Sequence, residues 1–204
     1  MVKLAAQLVP LKVDAEKEGK DLAAKYKVRA YPTIIFLDAN GELFSRVLGY
    51  LPPEPFTAEM SKAIEAPKEL AKLEATLKER PDDGEANVRM ALILVLRGRP
   101  AEAAEAAAKA EKAKFDGEQL GKAYNGIGDA YQSDNKLDEA LRFFTKADAA
   151  ARDPEDQAHA KLWAMMCFRA RGDMLTARRL AEEITVLQGA PEGYVNAAKR
   201  FLRQ

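Results

Sequence analysis

Slid against itself by 37 residues, the second half of the chain falls into columns: Gly98, Asn135 and Gly172; Ala103, Ala140 and Ala177; Met90, Ile127 and Ala164; Leu94, Tyr131 and Phe168. A fixed period of this length marks one supersecondary unit that cannot bury its apolar side alone and stacks on its neighbours to do so. Each column has a physical role. Gly and Asn adopt the left-handed conformation that ends a helix, so the first column marks a reversal between two antiparallel helices. Alanine five residues later lets the two helices of a pair approach closely. The large apolar residues before the reversal fill the space between helices. From about Pro67 onward Ala, Leu, Lys and Glu dominate and strand signals vanish, so this half reads as all-helical.

These columns resemble the tetratricopeptide repeat, with large, small and aromatic positions in its first helix and Ala, aromatic and Ala positions in its second. The middle unit fits best, through Tyr124, Ile127, Gly128, Tyr131, Ala140, Phe144 and Ala147. The first keeps Met90, Ala91, Leu94, Ala103, Ala107 and Ala110. The third keeps Ala164, Phe168, Ala177 and Ala181 but departs at Met165 and Ile184. The resemblance implies three helical hairpins over residues 84–190 (about 84–120, 121–157 and 158–190), led by a linker helix in 67–83 and closed by a capping helix over 191–204.

The first 66 residues have another period. Gln7 to Val13 is a short apolar run, Lys20 to Tyr26 spaces apolar residues as a helix does, and Thr33 to Leu37 is β-rich. Asn40-Gly41 supplies a tight reversal before Glu42 to Leu48, and a helix beginning near Glu54 carries Phe56, Met60, Ala63 and Ile64 on one face. The expected order is β-α-β-β-α. Val13-Asp14, Leu22 to Tyr26, Val28 to Thr33 and Gly41-Glu42 resemble the second half of a thioredoxin-like domain over roughly residues 8–66, with Tyr31-Pro32 at the family's cis-proline position. The fold class is therefore a partial thioredoxin-like α+β domain followed by an all-α repeat solenoid with a capping helix.

That resemblance implies a sheet in which a further strand lies between the two parallel strands expected here, so these either pair directly or leave apolar edges uncovered, and uncovered edges open a route to a homodimer. It also places a substrate backbone beside Tyr31 and Pro32, next to a CxxC pair the chain does not contain. Cys167 is the single cysteine. It can form neither an internal disulfide nor a dithiol, and with the lone His159 it cannot make an ordinary zinc site. Cys167 reads as a small buried hydrophobe among Trp163, Met166 and Phe168, and His159 as a surface side chain.

Other motifs carry no chemistry. Gly117 to Lys122 is one residue short of a phosphate loop and is followed by Ala123 where Ser or Thr should bind magnesium; Gly126-Ile-Gly128 lies within a helix, where paired glycines mean packing. No carboxylate pair stands out, and no cofactor or metal is expected. Basic and acidic residues number 32 each, divided nine and nine before residue 67 and 23 and 23 after it, which argues against nucleic acid or an anionic membrane as partner. No apolar run reaches membrane-spanning length and no secretory signal is visible.

What remains is a protein or peptide partner. Carried over by resemblance, the residues facing the inner groove are Val88, Leu92 and Val95 from the first hairpin, Asn125, Asp129 and Gln132 from the second, and Leu162, Met166 and Arg169 from the third. The expected function is a non-catalytic interaction module, co-chaperone-like by resemblance. The alternative is a C-terminal fragment of a thiol-disulfide oxidoreductase whose CxxC lies upstream of Met1. Compartment follows the same fork: cytoplasmic if Met1 is the true start, periplasmic or secreted if a longer parent carries a signal.

Overall fold

The computed structural model describes residues 2–204, with side chains from residue 3 onward. The chain divides into two compact units, one up to Glu74 and one from Ala75 to Gln204.

The first unit contains α1 (Val2–Ala5), α2 (Lys20–Lys25), β1 (Thr33–Leu37), β2 (Leu43–Leu48) and most of α3 (Pro53–Glu79). The β1–β2 pair is an antiparallel hairpin in which Ile34 faces Val47 and Ile35 faces Arg46, with a bulge between Phe36 and Leu37. Its turn is built locally. Asp38 Oδ1 accepts from the backbone N–H of Asn40 (2.8 Å) and of Glu42 (2.9 Å), while Gly41 takes φ of 75°. The Tyr26 hydroxyl donates to the Gly41 carbonyl at 2.9 Å and Arg46 donates to the Tyr26 carbonyl, tying α2 to the hairpin. Phe36 and Val47 pack on Met60 and Ala63 of α3, with Leu4, Leu8, Ile34 and Phe56 around them. The Tyr31–Pro32 peptide bond is cis.

Two expectations fail here. Gln7 to Val13 forms no strand, and β1 and β2 make the whole sheet among the described residues. An isolated strand gains nothing without a neighbour to complete its hydrogen bonds, and Pro10 removes a donor from the middle of this one. Val9 and Leu11 consequently stand 96% and 78% exposed. The direct pairing of two parallel strands is thereby corrected, and the element order is α-α-β-β-α. The second difference lies at Pro67, which does not separate two helices: α3 runs through it. Pro67 is exposed, strong helix formers follow it, and the pairs Glu65–Lys68 and Glu69–Lys72 lie on either side.

The second unit is a series of packed helices resembling a solenoid: α4 (Gly84–Leu96), α5 (Pro100–Lys112), α6 (Gln119–Ser133), α7 (Leu137–Ala150), α8 (Pro154–Ala170), α9 (Met174–Val186) and α10 (Glu192–Leu202). α4 packs on α5, α6 on α7 and α8 on α9, while α4, α6, α8 and α10 also touch in succession. The reversals share one geometry. Gly98, Asn135 and Gly172 have φ of 72°, 57° and 81°. The N–H one residue later returns to a carbonyl of the preceding helix, Arg99 to Leu94, Lys136 to Tyr131 and Asp173 to Phe168, at 2.9, 2.9 and 3.0 Å. This is the Schellman closure, which satisfies carbonyls a helix end would otherwise orphan.

Close crossing follows from the small residues. Ala103, Ala140 and Ala177 are completely buried, as are Ala107, Phe144 and Ala181 at their equivalent positions. A Cβ on Gly128 would lie 2.6 Å from the Phe144 ring, and one on Gly126 would lie 2.8 Å from Val95. One glycine admits the partner within a hairpin, the other admits the preceding layer. The core runs as two clusters, one through Val88, Leu94, Ile127 and Phe143, the other through Phe144, Met165, Ile184 and Phe201.

Candidate functional site

The candidate surface is the succession α4, α6, α8 and α10, and the nine expected residues divide into three groups on it. Val88 is wholly buried in the first core cluster and has no face to offer a ligand, a correction that follows from its place between α4 and the helices packed on it. Val95 packs against Gly126 across the α4–α6 contact. Asn125 is 5% exposed and its amide donates to the Asp156 carbonyl at 3.0 Å, so it joins α6 to α8. These three act as packing between layers.

The second group is the exposed or half-exposed set: Leu92 at the edge of the first core cluster, Gln132 near the end of α6, Leu162 beside the second cluster, Met166 at 36% exposure and Arg169, whose guanidinium lies 5.8 Å from the Phe201 ring centroid. Together they offer three apolar side chains, one amide and one cation.

The third is Asp129, which is engaged by a residue that the sequence reading leaves at the surface. His159 Nε2 lies 2.9 and 3.1 Å from the two Asp129 carboxylate oxygens, and its Nδ1 lies 3.3 Å from the Tyr194 hydroxyl. An ionised carboxylate only accepts, so Nε2 carries a proton and Nδ1 is left for the tyrosine. Phe144, Trp163 and Tyr194 surround the imidazole at ring-centroid distances of 6.4, 6.2 and 6.2 Å. The Asp129–His159–Tyr194 chain thus links α6, α8 and α10. No 37-residue column could reveal it, because contacts between successive first helices join residues 30, 31 and 35 apart.

Charge is managed around the same helices. Lys161 bridges Asp148 at 2.9 Å and Glu183 at 2.6 Å, joining α7, α8 and α9, and these partners raise its pKa against the lowering effect of burial. Glu118, Asp153 and Asp156 bring their carboxylates together. Burial and the Asp153 carboxylate push Asp156 up to about 6. Asp153 caps α8 by accepting from the Asp156 N–H at 2.9 Å, which holds its own pKa down, and Lys122, paired with Glu118, supplies the positive charge. Asp153 thus works as a helix cap, and the exposed Lys122 is the cation beside the cluster.

Cys167 sits 1% exposed in the second core cluster, and burial, aided by Asp129, pushes its thiol up to about 11. It is a packing side chain, and the chain has no CxxC pair to perform disulfide exchange. Tyr31 and Pro32, the other two expected site residues, lie just before β1, where Tyr31 is 59% exposed. Among the described residues, no helix is long and apolar enough to cross a membrane.

A family model described as a thioredoxin-like domain matches residues 3–64. No curated protein and no solved structure matches the chain. The molecule is thus an N-terminal thioredoxin-like domain with no CxxC, followed by a multi-helix, solenoid-like region.

Proposed function

We propose that this chain is a non-catalytic protein-interaction module in which a tetratricopeptide-type array of three hairpins, over residues 84–120, 121–157 and 158–190, holds an extended peptide segment along α4, α6 and α8. The observation that carries this reading is the layering itself. First helices pack on first helices in chain order, and the described contacts of each layer go to adjacent layers. Such stacking leaves a continuous face that no helix of the array covers.

Leu92, Leu162 and Met166 provide apolar anchors on that face, and the Gln132 amide can both donate to and accept from a peptide backbone. Arg169 favours an acidic residue or a carboxylate at the α8 end. A co-chaperone or assembly role is the biological form such capture would take. Tyr31 and Pro32 are a second, smaller contact for an extended chain at the start of β1.

An array of immobilised peptides probed with the full chain tests the reading. Gln132→Ala combined with Met166→Lys is expected to weaken captured peptides at least tenfold without changing the far-ultraviolet circular dichroism. Equal affinity in the double variant would remove this face from the account.

A further inference from the structure

The first unit leaves a strand edge unpaired, and we propose that a second copy of this chain pairs with it, β1 against β1 in antiparallel orientation, to give one continuous four-stranded sheet. The ladder shows which groups are available. The Gly49 N–H donates to the Pro32 carbonyl at 2.8 Å and the Asp38 N–H to the Glu42 carbonyl at 2.9 Å, so the even-numbered residues of β1 turn their backbone toward β2. By alternation Thr33, Ile35 and Leu37 present their N–H and C=O groups to the opposite edge, where no backbone group among the described residues meets them.

The two edges of the hairpin differ in how they are defended. β2 is followed by Gly49 and by Pro52-Pro53, breakers that discourage pairing along that edge. β1 reads Thr-Ile-Ile-Phe-Leu, with no charge, glycine or proline inside it. Exposed apolar side chains flank it at both ends, Tyr31 at 59% and Leu37 at 42%.

Charge selects the occupant and its direction. Lys27 and Arg29 precede β1, whereas Asp38 and Glu42 follow it. Antiparallel pairing about a two-fold axis at Ile35 sets Thr33 against Leu37 of the second copy, and brings the basic approach of each copy to the acidic exit of the other. Parallel pairing would put like charges together. Ile35 meets its own counterpart in a hydrogen-bonded pair, and the three facing pairs together offer about six backbone bonds. The arrangement is self-complementary and closed, so it stops at two copies.

Light scattering coupled to size exclusion on the full chain tests this. The expected result is a concentration-dependent species of twice the 22.5 kDa chain mass. Ile35→Pro removes an outward-facing donor while sparing the bonds to β2, and is expected to weaken the dimer at least tenfold; Arg29→Glu, which sets acid against acid, should weaken it less and erase its sensitivity to salt. Amide exchange on the unsubstituted protein reads the same claim without relying on a variant that folds. Thr33, Ile35 and Leu37 should exchange slowly at high concentration and faster on dilution. A single-chain mass at every concentration, a dimer indifferent to Ile35→Pro, or exchange at these amides that ignores dilution would each overturn it.

Discussion

The two units reach order by different routes. Each layer between Gly84 and Leu202 completes its core with the next segment of chain, so the array needs only local partners, and residues as bulky as Phe144 and Ile127 end with no exposed surface. The thioredoxin-like unit depends on a sheet, whose strands need edges supplied from elsewhere in sequence. With two strands among the described residues, it leaves Val9, Leu11, Leu48 and Tyr50 between 64% and 96% exposed. Neighbour-by-neighbour packing tolerates interruption; non-local pairing does not.

The largest test of that contrast is a pair of core truncations. Phe144→Ala opens space opposite Gly128 that the helices cannot close, and should cost the array about 3–5 kcal/mol. The single tryptophan, Trp163, lies in α8 and reports this transition by fluorescence in a urea titration. Phe36→Ala, from the smaller cluster of the first unit, should cost that unit about 3 kcal/mol, the lower end of that range, because a thin core collapses more easily. It should leave the Trp163 midpoint in place. Equal shifts of that midpoint would erase the distinction.

A smaller effect follows from pH. Asp156 has a raised pKa in the folded chain, about 6 against an ordinary value near 3.8, so its ionised form is the one that folding disfavours. That penalty is absent below pH 4, grows as pH rises and is complete above about 6. Asp156→Asn should therefore stabilise the array at pH 7.5 by about 1 kcal/mol, discounted for solvent screening, with the gain vanishing below about pH 4. Thermal melts of the two proteins across that range check it, and a gain that grows on acidification would contradict the sign. Least of all, Val9→Ser and Leu11→Ser should each change stability by under about 0.5 kcal/mol, since neither side chain is buried.

The array was legible in the sequence because its signals are local and repeated. Gly98, Asn135 and Gly172 mark reversals, and Ala103, Ala140 and Ala177 mark contacts, each over a few residues. The missing first strand was not, since an apolar run such as Gln7 to Val13 looks the same whether or not a neighbour exists to pair with it. The candidate site was legible in part. Met166 and Leu162, expected on the groove, keep exposed or half-exposed side chains, but Val88 and Asn125 turn into core and staple where layers interlock, a matter of depth that periodicity does not encode. The Asp129–His159–Tyr194 chain joins three first helices at offsets outside the repeat, so nothing in one dimension points to it.

The proposed function places an extended peptide on the face shared by α4, α6 and α8. Methyl-resolved nuclear magnetic resonance on the full chain, titrated with a peptide selected from the array, tests it most directly. Leu92, Leu162 and Met166 are expected to shift together and saturate at one concentration, while Val9 and Leu11 stay still. Shifts confined to the thioredoxin-like unit, or to the outer side of α10, would contradict it.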